Sequence, residues 1–409
     1  VIDALFPKVK FKEIAQIVTG STPSKKNSEY FGGNIPFVTP SELNEEIYVT
    51  SSATYVTESG ADQVRIIPKN SVMVCCIGSL GKAAIAGRDL VTNQQINSLV
   101  VNEKIADPLY VYYYCTTLKP LLECMAPKTT VAIVNKSRFS DLEIPLPSLK
   151  IQNQIAAILK KADNLRKQCQ QVERELHVLT QSVFLEMFGD LISNSKRFAI
   201  GTIRDVVSSV NYGTSEKACE GKGQYPILRM NNITYGGCWN FASLKYINLE
   251  ENEKEKYLAR KGDLLFNRTN SKELVGKTAV YREEKEMAIA GYLIRVRCNE
   301  KANAEYISGY LNSVHGKATL QHMCKSIVGM ANINAQELQN IRILLPPKRL
   351  QDKYAEFMTS LLWEKNICLK QKNEIDVLFN VLLQKSFGGE VNLGSLKKLI
   401  EIEAQPGHV

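Results

Sequence analysis

Beyond Pro147 the chain places apolar or small residues in one unbroken alternation of four and three. These are Ile151, Ile155, Ile158, Ala162, Leu165, Cys169, Val172, Leu176, Leu179 and Val183. That spacing predicts a long helix with a coiled-coil seam of more than four heptads. Ser148 is its candidate N-cap, just past the helix-excluding Pro147, and Gly189 is its stop. Some forty residues at 1.5 Å each give a rod of roughly 60 Å. A second seam follows Pro347, with Leu350, Tyr354, Phe357 and Leu361 at its start and Ile375, Leu378 and Leu382 at its end. Glu364 and Gln371 weaken its middle on either side of Cys368, and Gly388-Gly389 terminates it. Two seams in one chain predict an antiparallel pair, with globular domains at opposite ends.

Ahead of each helix the pattern changes. Short β-branched and aromatic runs such as 71–77, 96–101 and 293–297 alternate with Gly, Asn, Ser and Pro turns, with helical stretches at 109–122 and 304–321 between them. This reads as a compact α/β (α+β) domain.

The chain is written twice. Ile133-Val134-Asn135, Phe139, Leu142, Ile144, Leu146-Pro147 and Gln152 return as Asn332-Ile333-Asn334, Leu338, Ile341, Ile343, Leu345-Pro346 and Gln351, all 199 positions later. Glu13-Ile14 and Thr22 return as Asp205-Val206 and Thr214, 192 positions later. Ile35-Pro36-Phe37 matches Tyr225-Pro226-Ile227, and 68–73 matches 260–265. The expected division is a first globular domain at 1–147, a helix at 148–189, a second domain at 190–346, a helix at 347–389 and a tail at 390–409. Pairing Phe184 with Phe387 makes the second helix four residues longer between its marks, since Gln152 to Phe184 is 32 and Gln351 to Phe387 is 36.

Composition adds limits. Hydrophobic residues make up 44% and charged residues 23%, ordinary for a globular chain, and no run approaches a transmembrane helix. The start lacks a secretory apolar core, and the ten cysteines form no CxxC pair, so reduced thiols in the cytoplasm are expected. A net charge of +9 permits a polyanionic partner.

Catalytic signatures fail. Gly276-Lys277-Thr278 lacks the glycine of a phosphate loop, because Ser271 stands there, and Gly81-Lys82-Ala83 lacks the hydroxyl. The four histidines form no metal-binding spacing, and Asp263 with Glu283-Glu284-Lys285 is too loose a set for a nuclease. No adenine-methyltransferase motif occurs. The expectation is a chain without catalysis, cofactor or metal of its own.

Thr19-Gly20-Ser21-Thr22-Pro23-Ser24 with Glu29-Tyr30-Phe31-Gly32-Gly33-Asn34-Ile35-Pro36-Phe37 resembles the opening of the specificity (S) subunits of Type I restriction-modification systems. So do Ile144-Pro145-Leu146-Pro147 through Gln152-Ile155-Ala156, and Ser182-Val183-Phe184 through Met187-Phe188-Gly189-Asp190. The second half departs at Asn211-Tyr212-Gly213-Thr214-Ser215, which has no proline. The resemblance implies two target-recognition domains, each reading half of a bipartite sequence in double-stranded DNA. It implies helices that act as spacer and as docking surface for two methyltransferase (M) subunits, which would hold S-adenosylmethionine and flip the target base. Restriction (R) subunits would join in the full complex. A coiled-coil scaffold with two protein- or ligand-binding domains is the alternative.

Readers of DNA belong in polar loops that differ between the halves. In the first half these are Ser24, Lys25, Lys26 and Asn27, then Ser79 with Lys82 beside Gly81, the amides Asn93, Gln94 and Gln95, and Lys128 with Thr129. In the second half they are Ser215 and Lys217, then Arg229, Asn231 and Asn232, then Asn267, Arg268, Thr269, Asn270 and Lys272, and Lys325.

Overall fold

The computed structural model describes residues 6–43, 46–127, 131–190, 192–327 and 330–388. The chain divides into two units: residues 1–168 with 371–409, and residues 169–370. Each unit therefore takes one globular domain, half of the central helix Leu149–Phe188 and half of the distal helix Lys348–Gly388.

In the first unit, Lys8–Lys10 pairs antiparallel with Glu143–Pro145 and ties the domain's start to its end. One sheet runs in the order Ala15–Thr19, Ile96–Val101, Val72–Cys75, Ala83–Ala86, Tyr48–Val49. A second runs Thr54–Val56, Phe31–Val38, Leu90–Thr92, Ile66–Ile67. The strand Val72–Cys75 is apolar throughout because both of its faces are covered. Val72 and Val74 enter the core shared with the helices, and Met73 and Cys75 enter the core between the sheets.

The second unit repeats this plan. Ala199–Thr202 pairs with Arg342–Leu345. One sheet runs Val207–Tyr212, Leu293–Cys298, Leu264–Asn267, Thr278–Val280, and the other Lys245–Ile247, Tyr225–Leu228, Met287–Ile289, Leu258–Ala259. Leu264 and Phe266 face the helix-side core and Leu265 the opposite one. Only this unit has a three-stranded sheet of Thr269–Asn270, Met330–Asn332 and Lys325–Ile327 among the described residues.

The domain-to-helix joint is built alike in both units. Gln152 is fully buried; its Oε1 accepts the Asp107 N–H at 2.9 Å, and its Nε2 donates to the carbonyls of Ile105 at 3.2 Å and Pro147 at 2.8 Å. Gln351 accepts from the Asn303 N–H at 2.9 Å and donates to Lys301 at 3.1 Å and Pro346 at 2.8 Å. Tyr110 donates to the Pro145 carbonyl, and Tyr306 to that of Leu344. Asp107 and Asn303 cap the helices Pro108–Thr116 and Ala304–Asn312 that carry these tyrosines.

The helices run antiparallel. Within the second unit, Cys368 Sγ lies 3.6 Å from the Cys169 carbonyl, while Phe184 and Phe188 pack on Tyr354. Cys169 and Cys368 are themselves 199 positions apart, so repeat-equivalent residues meet here. The seam is less uniform than the periodicity predicts. Val172 and Leu179 are more than 40% exposed, whereas Ala156, Leu159 and Phe188, off the seam, are buried by the domains. The four-residue difference between the helices is also corrected. Phe188 packs on Tyr306, and Phe387 packs on the equivalent Tyr110. Phe188 and Phe387 are thus the true pair, 199 positions apart like Gln152 and Gln351, and the helices match in length.

Candidate nucleic-acid interface

Both domains bring the loop after their first long strand against the end of a strand in the other sheet. Within its own sheet Gly20 donates to the Ile96 carbonyl, and Gly213 to that of Leu293. A Cβ at Gly20 would lie 2.2 Å from Thr92 Oγ1, and one at Gly213 would lie 2.3 Å from the Ala290 carbonyl, so only glycine permits this approach. The next turn is fixed by two further main-chain bonds in each domain. Cys76 N–H donates to Gln95 O, and Val134 N–H to Cys76 O; Arg268 N–H donates to Tyr292 O, and Ile333 N–H to Arg268 O. The frame is shared, and the side chains on it differ.

In the first domain, Thr22 Oγ1 donates to Gln94 Oε1 at 2.9 Å, joining the basic turn to the amide cluster. Ser24, Lys25 and Lys26 are exposed, and Asn27 caps a short turn by accepting from Glu29 N–H. Gln94 alone of the amides is exposed. Asn93 is buried, with both amide atoms bonded to Gln95, and Gln95 donates to the Ile77 carbonyl. Ser79, Gly81 and Lys82 line a cleft of about 380 Å³ with Lys119. Lys82 is turned to structural use, its Nζ donating to the Pro40 carbonyl at 3.1 Å. Lys277, its repeat partner, donates to Met230 O at 2.7 Å, and burial pushes its pKa down. These two bonds account for both apparent phosphate-loop remnants. Lys128 and Thr129 lie outside the described residues.

In the second domain, Ser215, Arg229 and Asn231 meet around a cleft of about 530 Å³ that Glu216 and Tyr292 also line. Lys217 is exposed on the same loop. Arg229 donates to the Ser243 carbonyl at 2.8 Å, which clasps its own loop. Asn232 and Asn267 are corrections to the expected reader set. Asn232 is buried between Arg229 N–H and the Asn240 carbonyl. Asn267, fully buried, is the last inward position of its strand. One residue on, Arg268 turns outward, and its Cζ lies 4.8 Å from the centre of the Tyr212 ring. Thr269 donates to Asn332 Oδ1, Asn270 accepts from Ser271 N–H, and Lys272 is exposed. Lys325 sits in the outer strand of the three-stranded sheet.

Tyr212 and Tyr292, 39% and 54% exposed, fall outside the sequence-based expectation, which counted only polar residues. Their signal is an aromatic beside glycine in a polar turn, Tyr212-Gly213 and Gly291-Tyr292. Within the loose acidic set, Asp263 accepts from Arg297 Nε at 2.9 Å, and Glu284 pairs with Lys261. No cluster of metal-ligating side chains occurs among the described residues, and no helix there is long and apolar enough to cross a membrane.

A family model for the Type I restriction modification DNA specificity domain matches residues 6–174 and again 196–376. The chain belongs to that family. Its two matches coincide with the two halves of the internal repeat. The MjaIX Type I restriction enzyme specificity subunit of Methanocaldococcus jannaschii is 25% identical over 95% of this chain and 94% of its own length. The EcoKI specificity subunit of Escherichia coli is 24% identical over 63% of this chain and 60% of its own. The fold is that of a solved S subunit from M. genitalium, at TM-score 0.60 and 16% identity, covering 93% of this chain and 96% of that one.

Proposed function

We propose that this chain is the DNA-reading specificity subunit of a Type I restriction-modification complex and performs no chemistry itself. Residues 1–147 and 190–346 each read one half of a bipartite target in double-stranded DNA. The helices at 148–189 and 347–389 serve as spacer and as docking surface for two methyltransferase subunits, which hold S-adenosylmethionine; restriction subunits complete the assembly. The observation that carries this reading is one backbone frame, used twice, presenting different polar and aromatic side chains. Exposed apolar residues on the helices support docking: Val178 and its repeat partner Val377 are 62% and 64% exposed, and Trp363 is 64% exposed.

The experiment is methylome sequencing of a host carrying the methyltransferase gene with and without this one. The expected result is a two-part methylated motif that appears only with this chain. Methylation unchanged by its removal, or methyl transfer by the clean isolated chain, would overturn the reading.

A further inference from the structure

Resting on the DNA-reading role proposed above, we infer that Arg268, held in place by Tyr212, reads a guanine in the half-site of the second domain. Three observations converge on this pair. First, Arg268 is pinned through its main chain on both sides, by Tyr292 O and Ile333 N–H. Second, its guanidinium stacks on the Tyr212 ring, and that ring is itself fixed, because Tyr212 Oη accepts the Ala335 N–H at 2.9 Å. Third, Arg268 Nε is buried with no hydrogen-bond partner, and no side-chain acceptor takes its guanidinium among the described residues. A part-buried guanidinium without an acceptor costs free energy, and an arginine ordered in advance loses little entropy when an acceptor arrives. The fold thus holds a planar donor fork ready for something outside the chain.

The two candidates on DNA are a phosphate and a base edge. The internal repeat separates them. Phosphates are the same on both half-sites, so a phosphate anchor built into the frame belongs in both domains. The equivalent of Arg268 is Cys76, 1% exposed, and that of Tyr212 is Thr19, whose hydroxyl donates to Asn97. The pair is therefore particular to one half-site, as a base reader is. Among bases, guanine offers two acceptors, O6 and N7, spaced for a bidentate arginine fork. Tyr212 is a positioning residue here: it aims Arg268 and need not touch the base.

The test uses the complex with its methyltransferase subunits in two arms. In the first, methylomes are compared for the wild type, Arg268→Ala, Tyr212→Leu and Tyr212→Phe. One guanine of the second half-site should become degenerate in Arg268→Ala, its preference falling about 5- to 150-fold. The other positions and the first half-site should stay sharp. Tyr212→Leu should blur the same position, and Tyr212→Phe, which keeps the ring but loses the hydroxyl that accepts the Ala335 N–H, should blur it less. In the second arm the wild-type protein meets DNA carrying 7-deazaguanine at each guanine of that half-site in turn, which needs no variant to fold. One substitution should weaken binding about tenfold. A second half-site without guanine, an unchanged motif in Arg268→Ala, or equal losses on cognate and random DNA would overturn the inference while leaving the DNA-reading role intact. A wild type without any bipartite motif would instead sink the role itself, and this inference with it.

Discussion

Replacing Gln152 by leucine tests how the domain is locked onto its helix. The side chain is fully buried and makes three hydrogen bonds to main-chain groups of two segments, the loop 105–107 and Pro147. Leucine of similar volume strands the Asp107 N–H and the carbonyls of Ile105 and Pro147. Each orphaned buried group costs about 1–3 kcal/mol, and the added apolar burial returns about 1 kcal/mol, so for three groups a net loss of about 2–8 kcal/mol is expected. For a unit of this size that lowers Tm by at least about 4 °C. Gln351→Leu strands the corresponding Asn303 N–H and the carbonyls of Lys301 and Pro346, and should cost the same to within about 1 kcal/mol. Calorimetry and urea denaturation of the two single variants measure both. A loss under about 1 kcal/mol in either would refute the claim that these bonds hold the joint.

Lys317 is a second target. Burial, aided by Lys277, pushes its pKa down to about 8, and its buried Nζ has no hydrogen-bond partner and lies 4.8 Å from the centre of the Tyr235 ring. The folded value lies below the unfolded one of about 10.4, so the penalty is fully present below pH 8 and is relieved as pH rises toward 10.4. Lys317→Met should therefore be more stable by up to about 3 kcal/mol at pH 7, with the advantage fading by about pH 10; a pH-independent difference would contradict this. Lys25→Ala and Lys26→Ala, in an exposed turn, should weaken cognate and random DNA alike and reduce the salt slope by about 0.9 for each phosphate no longer neutralised, as salt-titrated binding would report. Four residues inserted after Val172 should lengthen the unread gap by at most about two base pairs and leave both half-sites unchanged; a methylome with an altered half-site and the old gap would show that the helices are not the ruler.

The duplication, the two long helices, the mixed α/β domains and the absence of catalytic motifs were legible in the chain itself. Periodicity and repeat spacing are one-dimensional properties, and the pairs 199 apart carried them from Ile133 to Gln351. The sequence also singled out polar loops as reader candidates. It did not tell which side chains within them face outward. Asn267 and Arg268 are polar neighbours, yet the strand buried on both faces ends at Asn267, and Arg268 follows it into the turn, where it meets the Tyr212 ring. Lys82 reads as a phosphate contact until a carbonyl 42 positions away is found bonded to its ammonium. The equivalence of Phe188 with Phe387 was within reach of the same spacing of 199 and of the glycine after each, and the tyrosines they pack on establish it. Tyr212 became informative only when the fold set Arg268 on its ring and the Ala335 N–H on its hydroxyl. Directions and partners are set by strand register and by closure of segments distant in sequence, and no local pattern encodes them.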